Sequence, residues 1–362
     1  MSSRGEKGVD VRPPEQTDGA AEPGRAQATR EGQVVDRSAL RRIRILRRLE
    51  ASVLPLGLIA VYIAFGAAEP GRYATVSNFA TMLASQAVLV LVTLALLLPL
   101  SAGDYDLSVG AVVGLSAMTI ALLNVQHGWN VWLAVLVAAL VGVLVGVVNS
   151  FFTVVVGIES LIVTLGTATL VQGVTLWVSG SNTVSGVSNS LVNPVIIDRF
   201  LQIPLEFYYA LAVAIVMWYV FEYTPLGRRL LMTGRGPVVA RLTGIRVARV
   251  RAGSLVLSGL ISALAGALYA GTSGAAAPTG GTEFLLPAFA AAFLGATTVY
   301  PGRFNPIGSV IAVYFLVFGV TGLEFLGAPN YVQDLFYGAA LILAVTFSQV
   351  VRRREAKVRK GQ

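Results

Sequence analysis

The sequence predicts an all-α integral membrane protein of about ten transmembrane helices, with the N- and C-termini cytoplasmic. Three observations carry that expectation. The chain is 55% hydrophobic and only 13% charged, with a mean hydropathy of +0.72, whereas soluble domains carry about 25% charged residues. Its apolar residues gather into ten runs, 52–68, 79–100, 107–124, 130–156, 159–178, 205–222, 253–271, 283–299, 306–326 and 330–350, close to the roughly 20 residues a helix needs to cross a hydrocarbon core. Finally, 24 of its 27 Lys and Arg residues fall in three blocks outside those runs.

In chain order, residues 1–50 hold eleven basic residues and few large apolar side chains before Ile43. Burial there is too small to offset ordering entropy, so a disordered basic cytoplasmic tail is expected. A cleavable signal peptide would place its apolar core nearer the start, whereas the first apolar run begins near Val53. Residues 39–49 (ALRRIRILRRL) suit either a basic amphipathic helix on anionic lipid or a charged flank that orients the first span.

The membrane domain follows over residues 51–351. The runs 107–124 and 283–299 are weak as isolated spans, the first following two aspartates and the second starting at a glutamate. Inside a bundle such segments need less hydrophobicity than lipid-facing ones. Small residues recur elsewhere: Gly142 with Gly146 in the fourth run, and Gly259, Ala263, Gly266 and Ala267 in the seventh. Close helix packing is the expectation for both strips, because lipid supplies no hydrophobic drive for association.

Between the sixth and seventh runs lies a basic loop, 223–252, whose stretch Thr224–Arg251 holds seven arginines. A basic tail closes the chain at 352–362. With the N-terminus inside and ten spans, all three basic blocks fall on one side, as Lys and Arg beside a span resist translocation. An odd miscount would put at least one of them outside. The net charge of +8 is thus a signal of topology, and no nucleic acid is expected.

Several chemistries find no support. There is no cysteine, and the single histidine, His127, sits in a short NVQHGWN loop as an expected solvated residue. No metal site is therefore expected. The lysines are Lys7, Lys357 and Lys360, all in the tails, and no G-x-x-x-x-G-K-[ST] stretch is present to cradle phosphates. Asp104, Asp106, Glu159, Glu283, Glu324 and Asp334 all stand at span ends, whereas an ion-coupled carrier ordinarily keeps an ionisable group near the midplane. An ion-coupled secondary transporter or a channel remains the alternative class.

Within the basic loop, Pro237 opens and Gly244 closes a short expected helix over 237–243. Val238, Leu242 and Ile245 follow i, i+4, i+7 spacing, an apolar stripe on a helix too short to span. Such a stripe needs a partner protein, the lipid interface or the protein's own helix ends.

The loop resembles the cytoplasmic coupling loop of bacterial ABC-importer permeases of the ribose-type monosaccharide class, matching at Thr224, Gly227, Arg228, Gly234, Ala240, Arg241, Leu242, Gly244 and Ile245. Residues 101–118 resemble that family's D-L-S-V-G segment, keeping Asp106, Leu107, Ser108, Val109 and Gly110. Residues 147–181 match at Asn149, Ile162, Thr164, Leu165, Gly166 and Gly173, and 257–271 with 288–313 follow its S-G-x-x-A-x-A-G and G-R segments. The resemblance covers about residues 50–350 in the family's order. Three departures stand out: Asp104 in place of a glycine, Glu159 in place of a proline, and Val238 and Val239 in place of an acidic residue and an alanine.

The resemblance implies a permease subunit of the cell (inner) membrane, a multi-pass protein that is not itself an enzyme. Its implied partners are cytoplasmic ABC ATPase subunits, an extracytoplasmic solute-binding protein and a second permease copy as homo- or heterodimer. No cofactor is expected in this chain, with ATP and Mg bound by the partner subunits. Arg228, Val238, Ala240, Arg241, Leu242, Gly244 and Ile245 are the implied ATPase-coupling residues. For a substrate pathway, the polar candidates are Asn149, Thr164, Thr167 and Gln172, with Phe289 and Phe293 facing them if the eighth span lines the axis. Each has a plainer reading, since span Ser and Thr often bond their own backbone and Phe usually packs. The outer stretch 179–193 is long enough to dock a binding protein or to be an ordinary loop.

Overall fold

A computed structural model describes the backbone of residues 37–360 and the side chains of residues 52–346. Of the disordered tail expected over 1–50, residues 1–36 lie outside the described residues, while the backbone of residues 37–50 is helical, as the start of a helix that runs on into the first apolar run. The packing described below concerns residue 47 onward.

Fourteen α-helices follow in order among the described residues: α1 Arg37–Ala68, α2 Val76–Ala84, α3 Ala87–Ala102, α4 Val109–Ala121, α5 Val131–Ser150, α6 Ser160–Ser179, α7 Asn189–Val192, α8 Leu205–Tyr223, α9 Pro225–Arg235, α10 Pro237–Leu242, α11 Val247–Ser273, α12 Leu285–Gly295, α13 Pro306–Phe325 and α14 Tyr331–Lys360. Four two-residue strands, β1 Val184–Ser185, β2 Arg199–Phe200, β3 Ile203–Pro204 and β4 Ala275–Ala276, pair antiparallel as β1 with β4 and β2 with β3.

The structure is thus an all-α membrane protein with no barrel among the described residues. Seven helical segments are long and apolar enough to cross a membrane: Val76–Ala102, Val109–Gln126, Val131–Val156, Ser160–Ser179, Leu205–Tyr223, Val247–Ser273 and Pro306–Phe325. Three shorter apolar helices, Ser52–Ala68, Thr282–Gly295 and Tyr331–Thr346, occupy the remaining three apolar runs. The helix in the run 283–299 stops at Gly295 for a visible reason. Asn305 donates through Nδ2 to the carbonyls of Gly295 (3.1 Å) and Thr298 (3.2 Å), taking up groups a longer helix would need.

Every residue of α3 is buried, as an all-round apolar helix of the bundle centre must be. Around it α11 packs along α3, α4 and α5, while α12 packs on α3, α13 and α14. The small-residue strips behave as expected. A β-carbon added at Gly142 would lie 2.5 Å from both Ala263 Cβ and the Gly259 carbonyl oxygen, and one at Gly146 would lie 2.7 Å from Leu255 O. The two backbones touch. One turn further on, Gly266 brings α11 equally close to Val113 on α4, where Ser116 Oγ donates to Ala263 O at 2.7 Å.

Candidate functional site

The basic loop folds into α9 and α10. Thr224 caps α9, its hydroxyl accepting from Gly227 N at 3.5 Å and donating to Val220 O at 2.6 Å, with Pro225 in the first turn. Pro237 opens α10, which runs to Leu242 against an expected end at 243. Gly244 closes it at φ +82°. Gly244 N donates to Arg241 O and Ile245 N to Ala240 O, both at 3.0 Å, the paired bonds of a Schellman cap.

Ala240 is the α10 residue that packs inward, 2% exposed. Val238 and Leu242 point outward, 67% and 83% exposed, with Val239 beside them and Ile245 half-buried. Packing against the protein's own helix ends is therefore not the fate of the Val238–Leu242 stripe. Six arginines of the segment, Arg228, Arg229, Arg235, Arg241, Arg246 and Arg249, are exposed, and no acidic residue lies between Thr224 and Arg251.

This segment rests on the turn that carries the D-L-S-V-G residues. Gly103 ends α3 at φ +92°, a left-handed position natural to glycine. The end of α9 lies on it with no side chain between, since a β-carbon at Gly234 would run into Ser101 O and lie 3.1 Å from Gly103 N. The next residue, Asp104, is 2% exposed and takes a two-pronged bond from Arg251 of α11: Nε to Oδ2 at 2.8 Å and Nη2 to Oδ1 at 2.6 Å.

Asp106, buried to 1% exposure, anchors the rest of the turn. Its Oδ1 accepts from Ser108 N (3.0 Å) and Ser108 Oγ (2.6 Å), and its Oδ2 from Ser258 Oγ on α11 (2.8 Å). Asn149 of α5 donates to Ser108 Oγ at 2.8 Å. Burial pushes the Asp106 carboxyl above its usual range, and the serine hydrogen bonds oppose that rise. Replacing Asp106 by alanine leaves two buried hydroxyls and an amide without their acceptor. The expected loss is about 1–3 kcal/mol, read as a lower melting temperature of the purified protein, with Asp106→Asn milder.

Of the pathway candidates, the structure brings Asn149 and Thr164 to this turn. Thr164, fully buried, accepts from Leu107 N at 3.0 Å and donates to Ser160 O at 2.8 Å, while Ser160 Oγ accepts from Tyr105 N at 3.0 Å. Thr167 is half-buried on the same helix. Gln172 lies two turns along α6 and donates to Pro278 O at 2.9 Å. Phe289 and Phe293 stack on α12 with ring centroids 6.4 Å apart, Phe293 meeting Phe304 edge-on, within the main hydrophobic core. Leu107 is partly buried and Gly110 passes close to Gly281.

The sequence reading does not single out Glu222 or the pairing of Asp104 with Arg251. Glu222, at the end of α8, forms an ion pair with Arg303, whose guanidinium also lies 4.2 Å from the Tyr300 ring centroid. The signal that pointed to Asp104 is its departure from the family's glycine; its partner, 147 residues away, has no local signature.

A family model described as "Branched-chain amino acid transport system / permease component" matches residues 78–345. The chain is similar to the autoinducer 2 import system permease protein LsrD of Escherichia coli (strain K12) and of Shigella flexneri, 30% identical over 303 residues, which make up 82% of this chain and 91% of each relative. The protein of the same name from Salmonella paratyphi B is 30% identical over 269 residues, 73% of this chain and 81% of the relative. No solved structure matches the chain.

Proposed function

Because the chain belongs to the family of ABC-importer permease components, multi-pass proteins of the inner membrane, we propose that it forms the path for a small sugar-type solute, driven by separate ATPase subunits. The observation that carries the reading is α10: an exposed Val238–Leu242 stripe, capped at Gly244, amid exposed arginines. An apolar knob ringed by positive charge fits a partner groove with an apolar floor and an acidic rim. The cytoplasmic ABC ATPase is that partner, and it holds the ATP and Mg. This chain hydrolyses no ATP. An extracytoplasmic binding protein delivers the solute, and a second permease copy completes the path. Exposed apolar faces on α5, α6 and α8 support a surface covered by lipid and by that copy.

Ten spans with both termini cytoplasmic complete the proposal. The three shorter apolar helices supply the count beyond seven, and every basic block then lies inside. The relatives' names give autoinducer 2 as their import substrate, while the family description names branched-chain amino acids.

The test is uptake into proteoliposomes holding the permease, its ATPase and its binding protein, with labelled ribose, autoinducer 2 and leucine as probes. ATP-dependent uptake of ribose or autoinducer 2 at least about tenfold above leucine, a difference of about 1.4 kcal/mol, is expected. Uptake by the permease alone, without ATPase, would establish the carrier or channel alternative instead.

A further inference from the structure

The coupling segment is held at both ends by side chains from other loops. Glu222, two residues before it, pairs with Arg303; Arg251, at its far end, pairs with Asp104. The second pair holds a carboxylate that is 2% exposed, and a charge so buried needs a partner.

We propose that Asp104 and Arg251 form a positioning clamp that makes the turn 103–108 move as one body with α9, α10 and the start of α11, so that displacement of the coupling segment is delivered through that turn to α5 and α6. The proposal rests on the coupling reading above.

Connections on both sides of the turn support it. Toward the coupling segment run the Arg251 fork and the bare backbone contact of Gly234 on Ser101 and Gly103. A charge-assisted bidentate bond fixes both distance and orientation, which a single hydrogen bond does not. Arg251 keeps 31% of its side chain exposed while Asp104 is closed off at 2%, so the carboxylate is the member that water cannot compensate. Toward the membrane helices run Ser160 to Tyr105, Thr164 to Leu107, Asn149 to Ser108, and Ser258 to Asp106. Four successive residues of the turn, 105–108, are thus each tied to a helix other than the two it joins. A glycine at 104 would keep those four ties and lose the grip on Arg251. The start of α11 would then lose its direct grip on the turn, leaving the Gly234 contact, which resists compression and transmits no pull, and the Ser258 bond two turns further along α11.

The experiment uses the permease assembled with its ATPase and binding protein. The chain has no cysteine, so cysteines at Tyr105 and Arg246, both exposed, accept nitroxide labels on either side of the clamp. Their separation is read by electron–electron resonance without nucleotide and with ADP–vanadate–Mg trapped. It is expected to change by less than about 2 Å in the otherwise unaltered chain and by about 5 Å, the size of a one-turn slip, in Asp104→Asn. Binding-protein-stimulated ATP hydrolysis should fall severalfold toward the basal rate in Asp104→Asn and return in the exchanged pair Asp104→Arg with Arg251→Asp. A nucleotide-dependent shift without the Asn substitution, or unchanged separation and stimulation with it, overturns the clamp. Should Asp104→Asn fail to accumulate, the exchanged pair carries the test: wild-type stimulation supports the clamp and lost stimulation at normal abundance overturns it. If the unsubstituted complex hydrolyses no ATP in response to the binding protein, the permease reading itself falls, a result distinct from either.

Discussion

Replacing Arg241 and Leu242 together by aspartate is expected to abolish ATP-driven uptake while leaving the permease in the membrane at its normal level. Leu242 is 83% exposed and Arg241 is exposed beside it, so neither supports the fold. Exposed substitutions of this kind change stability by about 0.5 kcal/mol or less. Docking is another matter. A leucine anchor seated in an apolar pocket contributes about 1.5–3 kcal/mol of transfer free energy, and an aspartate in its place brings an unpaired charge into the same pocket. The second aspartate reverses the charge of a surface whose charged groups along this segment are otherwise all arginines. A combined loss of about 4 kcal/mol would weaken ATPase binding roughly a thousandfold. The measurement is twofold: co-purification of the ATPase with the permease, and uptake in cells. Gly244→Pro should give the same result by another route, since proline holds φ near −65° and position 244 sits at +82°, so the cap that ends α10 cannot form. Normal uptake with the ATPase still bound to the double aspartate variant would remove α10 from the coupling role.

The contrast between α10 and its surroundings shows what the sequence makes legible. A helix bounded by Pro237 and Gly244 is written locally, because a fixed φ and a left-handed turn are properties of those two residues alone; the structure differs by one residue at the end. The ten apolar runs are likewise consequences of local composition, and so are the small-residue strips around Gly142 and Gly259, though that these two strips meet each other is not. The direction in which α10 faces is not, since Ala240 and not the Val238–Leu242 stripe meets the bundle. Nor is the pairing of Asp104 with Arg251, because a contact between residues so far apart depends on how α3 and α11 come together. The polar candidates divide on the same line. Thr164 and Asn149 are legible as buried polar groups in apolar runs, but that their partners are the turn 103–108 follows only from tertiary packing. For Phe289 and Phe293, an apolar run fixes burial and leaves the facing helix open; α12 turns them into the core beside Phe304.

That dependence on packing gives the second large effect. Gly259→Leu should leave almost no folded permease, because the obstruction begins at the first side-chain atom. A β-carbon at 259 would run into the Gly142 carbonyl and lie 3.2 Å from Gly146 N, both backbone atoms, so no rotamer relieves the contact. The helices must separate instead, and Gly146 with Leu255 and Ser116 with Ala263 lose their contacts with them. Core overpacking that side chains absorb costs about 1–3 kcal/mol. Separation of two helices along a shared strip should exceed about 4 kcal/mol, the range of exceptional single substitutions. Gly142→Leu acts on the same crossing, so the two together should be little worse than either alone. Gly253→Leu supplies the comparison within the same helix, as a β-carbon there meets nothing within 4 Å. The quantity to measure is the monodisperse fraction after detergent extraction. It should collapse for Gly259→Leu and Gly142→Leu and hold for Gly253→Leu, even though all three make the sequence more apolar and better suited to a helix. Equal yields from the three would mean that α5 and α11 do not meet backbone to backbone, and the path from the coupling segment through α11 to the bundle would have to be redrawn.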